Sequence, residues 1–550
     1  MSRTLHAPVL VVGAGPVGLT LALDLAWRGI DVTVVETRPC GEPPPAKCNH
    51  VAARTMEVYR RLGIASEIRN TGLPGDYPND ISFRTTFTGM ELARIPIPCR
   101  NHRYTASGGP DTGWPTPEPP HRINQIYLEP ILSERAAATA RISLYWHTEF
   151  KGLLQNETGV TATLENIGSG ETIHASCDYL VGCDGGSSAV RRSIGGHLTG
   201  DAVLQRCQSS FVRAVDLIQM QSEAAAWSTI SLNPRRSGNV YAIDGRELWI
   251  IHNYLREEET DFDSVDRDHS IRMILGVDDQ FHYDTLAHED WIGRRLVADR
   301  FRDRRVFICG DAAHIWVPYA GYGMNAGIAD ATNLSWLLAA HLNGWAADAV
   351  LDAYECERLP ITDQVSRFVM NHTHAMVRQR RAVPDNIELP GPEGDAVRKE
   401  MGRHAYDLNV QQYCAAGLNF GYFYEDSPII SHEAQTPPAY SMATFTPSTL
   451  PGCRLPHFFF EDGRSLYDAL GPEFTLLRLN SMIDVSPILA AADLHDVPLQ
   501  VLDIVPGSHT VDYDHDLVLC RPDQHVAWRG DRPPDDPVSL IDRVRGATSG

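Results

Sequence analysis

The chain has eleven cysteines, but no two are spaced as Cys-x-x-Cys, and their number is odd. That excludes a paired-thiol redox site and speaks against a disulfide framework or a structural zinc site. A reducing cytoplasm is the expected setting, with no metal. Long apolar runs are also missing. The longest near the N-terminus, Ala7 to Leu25, is interrupted by Gly13, Gly15, Pro16, Gly18 and Asp24. A spanning helix needs about 20 apolar residues, so neither a membrane span nor a signal peptide is expected. Basic residues are in short supply, 48 against 70 acidic ones, for a net charge of −22. A surface this acidic disfavours nucleic acid or an anionic membrane as the partner. There is no internal repeat and no low-complexity tract. With 43% hydrophobic and 21% charged residues the chain is globular, and 550 residues suggest three or four folding units.

Against these absences stands a compact pattern at residues 8–36. Pro8 to Val12 is a β-branched apolar strand, Leu19 to Trp27 an apolar helix stopped by Gly29, and Asp31 to Glu36 a second strand. The turn between is Gly13-x-Gly15-x-x-Gly18. The first glycine allows the tight turn, the second lets a pyrophosphate approach the backbone, and the third lets helix and strand pack closely. Phosphates would sit on the helix N-terminus, where amides and dipole favour negative charge. Glu36, at the end of the second strand, can accept from a ribose diol. Pro16 and Val17 in the loop, and Thr37 and Arg38 after the acid, complete this candidate adenine-dinucleotide site. The motif alone does not separate NAD from FAD.

Two further strand ends do. Asp178 to Val181 runs into Gly182-Cys183-Asp184-Gly185 and a helix carrying Arg191; Arg305 to Cys309 runs into Gly310-Asp311-Ala312-Ala313-His314, followed by Gly321, Gly323, Met324, Asn325 and Gly327. With these in order, the sequence resembles the FAD-dependent aromatic hydroxylases, the single-component flavoprotein monooxygenases, over essentially its whole length. The resemblance implies that Asp311 meets the FAD ribityl chain. Gly321 and Gly323 would let the backbone pass the flavin ring, and the helix opening at Met324-Asn325 would aim amides at its pyrimidine end. It further gives Arg54 a pyrophosphate contact and Gln125 a flavin or ribityl contact. Asp184, Gly185 and Arg191 would serve FAD placement and the encounter with the pyridine nucleotide. His314 is expected to be structural. Pro318, Tyr319 and Ala320 would border the reactive edge of the flavin.

The implied activity is hydroxylation of a small phenolic or polycyclic aromatic substrate. NADPH or NADH would reduce FAD, and O2 would add to give a flavin C4a-hydroperoxide. A single glycine fingerprint and no redox cysteine pair argue against a two-nucleotide reductase. Candidates around the substrate are Asn49, His50, Tyr241, His252, Tyr254 and Pro318. Arg235 and Arg236 offer a partner for a carboxylate, although paired arginines at a strand end are usually solvated. Other readings are a flavin-binding relative that sequesters a reactive intermediate, and a halogenase, for which Trp336 and Trp345 do not make the needed pattern.

The expected fold is α/β: a Rossmann-like FAD domain (1–190 and 290–375), a mixed-sheet substrate domain (75–120 and 200–290), a helical or irregular linker (376–450), and a thioredoxin-like α/β domain (451–550) without a redox pair. The resemblance places that last domain in the phenol hydroxylase branch and implies a homodimer.

Overall fold

The computed structural model describes residues 3–221, 224–317, 321–507 and 510–547. The first of its three sheets has eight strands. Its path runs Arg302–Asp303, Val306–Ile308, Thr172–Gly182, Arg3–Val12, Val32–Val35, Ile142–Tyr145, with the hairpin Thr148–Gln155 and Val160–Asn166 joined at Thr172–Gly182. Val9 to Val12 pair in parallel with Val32 to Val35 on one side and with Tyr179 to Gly182 on the other. Val9 to Val12 are buried on both faces of the sheet, which is why the strand reads as a continuous apolar run. The helix Pro16–Trp27 follows, with proline at its first position. It ends in a Schellman turn: Gly29 has φ +88°, and Ile30 N donates to Leu25 O at 3.0 Å.

The second sheet also has eight strands, in the order His314–Trp316, Asp284–Ala298, Leu198–Arg213, Leu248–Tyr254, Gly238–Ala242, Ser228–Ser231, Ile81–Arg84, Glu91–Ile95. The strands Gly238–Ala242 and Leu248–Tyr254 form a hairpin that turns at Asp244-Gly245. Two boundaries differ from the sequence reading. The strand Asp284–Ala298 carries this sheet past residue 290. The stretch read as a linker contains the helix Pro392–Tyr413, whose Met401, Ala405 and Tyr413 share a core with Ile81, Phe83 and Ile95. Its apolar stripe is diluted by polar residues, and only the sheet edge it covers makes it recognisable.

The third sheet orders Leu499–Asp503, Phe474–Arg478, Leu517–Cys520, Val526–Gly530, the first pair parallel and the rest antiparallel. With the helices Ser486–Asp493 and Pro537–Val544 it forms an α/β unit in the C-terminal hundred residues. Its core is continuous with that of the first sheet: Phe474 meets Trp336 and Trp345 edge-on, with ring centroids 6.2 and 5.9 Å apart. All eleven cysteines are free, and no helix among the described residues is long and apolar enough to cross a membrane.

A buried ionic network runs between these layers. Arg521 donates to both oxygens of Glu357 at 2.5 and 2.8 Å, both side chains being fully buried, and to Asp523 at 2.7 Å. Ser427 and Asn333 donate to Glu357 as well. One residue along the helix Asp352–Arg381, Arg358 donates to Asp330 at 2.8 Å. Asp330 also accepts from His314 Nε2 at 2.7 Å and from Gly310 N at 3.2 Å.

Burial by itself would raise the carboxyl of Asp330, but His314 and Arg358 beside it hold it below the usual range. Burial opposes the charge of Asp523 too, and Arg521 and His525 outweigh it. Burial pushes His252 and His372 down to about 4, and His525 down to about 3.

Two outcomes follow. Glu357→Gln leaves Arg521 without its bidentate partner and lowers unfolding stability by about 3–5 kcal/mol, read by chemical denaturation. Histidines with depressed values take up protons in the unfolded chain first, so stability falls as pH drops below about 6.5. The depressed aspartates contribute fully only above about 3.9, so the loss steepens below that value. Thermal unfolding across this range shows both limbs, and His372→Leu flattens the upper one.

Candidate active site

The groove above the first sheet is built by backbone. Gly13 has φ +106°, and a Cβ there would strike the carbonyl of Cys183. A Cβ on Gly18 would run into Gly13 O, whereas one on Gly15 meets no atom within 4 Å. The helix Pro16–Trp27 has no side-chain cap, so the amides of Val17 and Gly18 have no intrahelical acceptor. Glu36 closes one side, accepting from Ala14 N at 2.7 Å, Arg38 N at 3.0 Å and Thr37 Oγ1 at 3.1 Å. Burial works against its charge, but the Arg38 amide and guanidinium hold its carboxyl low. Arg38 also meets Glu129 at 2.6 Å, and Glu129 accepts from Gln125 Nε2 at 2.8 Å.

At the far end of the groove Asp311 is enclosed by protein, yet its side chain faces open space. Burial pushes its carboxyl up, against the pull of His314 and Lys47. The helix Tyr322–Leu342 starts at Gly321, which has φ +61°, and it too lacks a side-chain cap. A Cβ on Gly321 would come within 2.8 Å of His50 Cβ; one on Gly323 would meet nothing. Asn325 pins this start to the segment opposite, donating to Gly321 O at 2.6 Å and His50 O at 3.1 Å and accepting from Ala52 N at 2.8 Å. Lys47 and Cys48, which the sequence reading passed over, belong here. Cys48 lies against Met324 N and Asp311, its thiol pushed up to about 12 chiefly by burial, and its own φ is +43°. Two uncapped helix starts, an open glycine and an open carboxylate suit a dinucleotide with a polyhydroxyl chain.

Several residues expected at the cofactor hold hydrogen bonds within the protein. Arg54 donates to Tyr422 Oη at 2.5 Å and Asp523 O at 3.1 Å, so its guanidinium ties the helix Ala53–Arg61 to the C-terminal domain. Asp184 caps the helix Ala189–Ser193 through Ser188 Oγ, Ala189 N and Val190 N. Arg191 grips Ala312 O at 2.7 Å and Gly186 O at 2.8 Å, steadying the turn that presents Asp311.

The second sheet faces this groove with an aromatic strip. Trp227 meets Tyr413 and Tyr241, Tyr241 meets His252, and His252 meets Tyr254 and Trp291, with centroids 5.3–6.4 Å apart. Tyr254 packs with Val317 in one cluster, and His50 underlies Gly321, so the strip borders residues on both sides of 318–320. Pro318, Tyr319 and Ala320 themselves lie outside the described residues.

The other substrate candidates are partly engaged. Asn49 accepts from Asn124 Nδ2 at 2.5 Å, His50 Nδ1 accepts from Arg122, and Tyr241 accepts from Asn239 at 3.0 Å. His50 and His252 are both depressed by burial, which leaves them neutral and poor as bases. Arg235 and Arg236 are paired with Glu388 and Glu259.

The sequence matches the family described as FAD binding domain over residues 6–369, and aromatic-ring hydroxylase, C-terminal, over 448–547. It is 30% identical to an FAD-dependent monooxygenase of Emericella nidulans, across 98% of this chain and 90% of that one. The fold superposes on the rebeccamycin biosynthetic enzyme RebC with reduced flavin at a TM-score of 0.89 and 31% identity, covering 100% of both chains. It superposes on aklavinone-11 hydroxylase in complex with FAD and aklavinone at a TM-score of 0.80 and 26% identity, covering 98% of each. The chain therefore belongs to the FAD-dependent aromatic-ring hydroxylases, a family of flavoprotein monooxygenases.

Proposed function

We propose that the protein draws on NADPH or NADH and O2 to hydroxylate a phenolic or polycyclic aromatic compound. The observation that carries this reading is the aromatic strip through Trp227, Tyr241, His252 and Trp291, which ends at the segments bearing Asp311 and Gly321. Flat arenes fit such a wall through offset and edge contacts. FAD, when bound, supplies the electron transfer and the oxygen activation.

The chain's own residues bind, orient and keep water out. The open face at Gly15 and the amides of Val17 and Gly18 receive the pyrophosphate, with Gly13 and Pro16 shaping the turn. Glu36, Thr37 and Arg38 border the adenosine ribose, Gln125 and Lys47 flank the groove, and Asp311 accepts from a ribityl hydroxyl. The N-terminus of the helix Tyr322–Leu342, at Gly323, Met324 and Asn325, offers amides to the electron-rich end of the flavin. No second nucleotide fold is present among the described residues, so the pyridine nucleotide visits rather than resides. The likeness to RebC, solved with reduced flavin, favours one second reading, a flavin protein that shelters a reactive intermediate and does little redox chemistry of its own.

Stopped-flow reduction by NADPH and by NADH, with and without a panel of phenols, tests the assignment. A phenol that accelerates reduction by orders of magnitude and yields its hydroxylated product under air supports the hydroxylase. Slow reduction that no phenol changes supports the sheltering protein. Asp311→Ala is expected to weaken FAD retention about 10- to 100-fold, the worth of one hydrogen bond to a charged group, measured as flavin content of the purified protein.

A further inference from the structure

Arg122 is a buried cation without an acid. It is 5% exposed, and among the described residues its guanidinium donates one hydrogen bond, to the neutral His50 Nδ1. The antiparallel bridge between Val51 and His121 puts the two side by side. The nearest carboxylate, Asp111, is already taken by Arg103 at 2.5 Å and by Trp114 Nε1 at 2.9 Å. Arg103 is itself 7% exposed, so two buried guanidiniums lie near one buried carboxylate, and Arg103 holds it. An uncompensated buried charge is costly unless something pairs with it. Four of the five guanidinium N–H groups of Arg122 remain for an acceptor.

Its position says what that acceptor is. The guanidinium lies 4.4 Å from the centroid of the Trp227 ring, at one end of the aromatic strip. Its partner His50 lies under Gly321, at the start of the flavin-side helix. Arg122 thus spans the gap between the aromatic wall and the cofactor groove. Burial destabilises its charge, Asp111 offsets this only in part and Arg103 adds to it; an anionic ligand would reverse the effect.

We propose that Arg122 binds an anionic oxygen on the aromatic substrate, a ring carboxylate or a phenolate, and thereby selects acidic arenes and fixes which ring edge meets the flavin. This rests on the hydroxylase reading but is tested without turnover. Isothermal titration of the holoenzyme with 2-naphthoate, 2-naphthamide and 2-naphthol is the experiment. Naphthoate is expected to bind at least about tenfold tighter than the amide, the worth of one charge-assisted hydrogen bond. Arg122→Gln brings the two together, and Arg122→Lys keeps part of the preference. If the anionic group is the phenolate, 2-naphthol binds in its ionised form, seen by its own absorbance, and Arg122→Gln abolishes that ionisation. Retained FAD and an unchanged melting temperature show that the variants are folded. Equal binding of acid and amide with naphthol un-ionised, a preference that survives Arg122→Gln, or no binding of any probe overturns the proposal. Failure of the hydroxylase reading shows separately, as no arene-stimulated oxidation of NADPH or NADH.

Discussion

The pairing of Asp330 with His314, Arg358 and Gly310 N is the constraint on which the site depends. It fixes the backbone of the Gly-Asp turn from beneath, so that Asp311 can point into open space without support of its own. Through the next residue, Glu357, the same helix reaches Arg521 and Asp523 in the C-terminal domain. Such ion clusters cost solvation on burial and are retained only with near-complete hydrogen bonding; here Ser427 and Asn333 supply the remaining bonds. The C-terminal domain therefore acts as the outer wall of the nucleotide domain. Arg54 adds a second tie between the two through Tyr422 and Asp523.

Around this satisfied frame the groove itself is left polar and unpaired. Two helix starts lack side-chain caps, and Asp311 has only distant charges for company. Satisfying these groups inside the protein would have been simple; leaving them open is what a cofactor site requires. Arg122 follows the same pattern on the substrate side.

Much of this was legible in the sequence where the chemistry is local. The turn at Gly13, Gly15 and Gly18, the acid at Glu36, the Gly310-Asp311 step and the α/β character of the last hundred residues depend on near neighbours. What escaped depends on contacts across hundreds of positions. The ties of Arg54 were not legible because Tyr422 and Asp523 lie far along the chain. The bonds of Asp184 to a helix start and of Arg191 to Ala312 O were not legible either. Lys47 and Cys48 sit in a proline-rich loop with no periodicity, and only the fold brings them to Asp311. The helix Pro392–Tyr413 gained its meaning from the sheet it covers.

The helix Ala53–Arg61 shows how far such distance goes. Its N-cap residue is Ala52, which offers no side-chain acceptor. The orphan amides of Ala52 and Ala53 are met instead by Asn325 and Asn419, 273 and 366 residues away. A helix capped in this way has no local nucleus, because its starting signal arrives only with tertiary structure. Its first turn should be among the last parts of the chain to order during synthesis, when both asparagines have left the ribosome. Until then the helix Ala53–Arg61 has no fixed start.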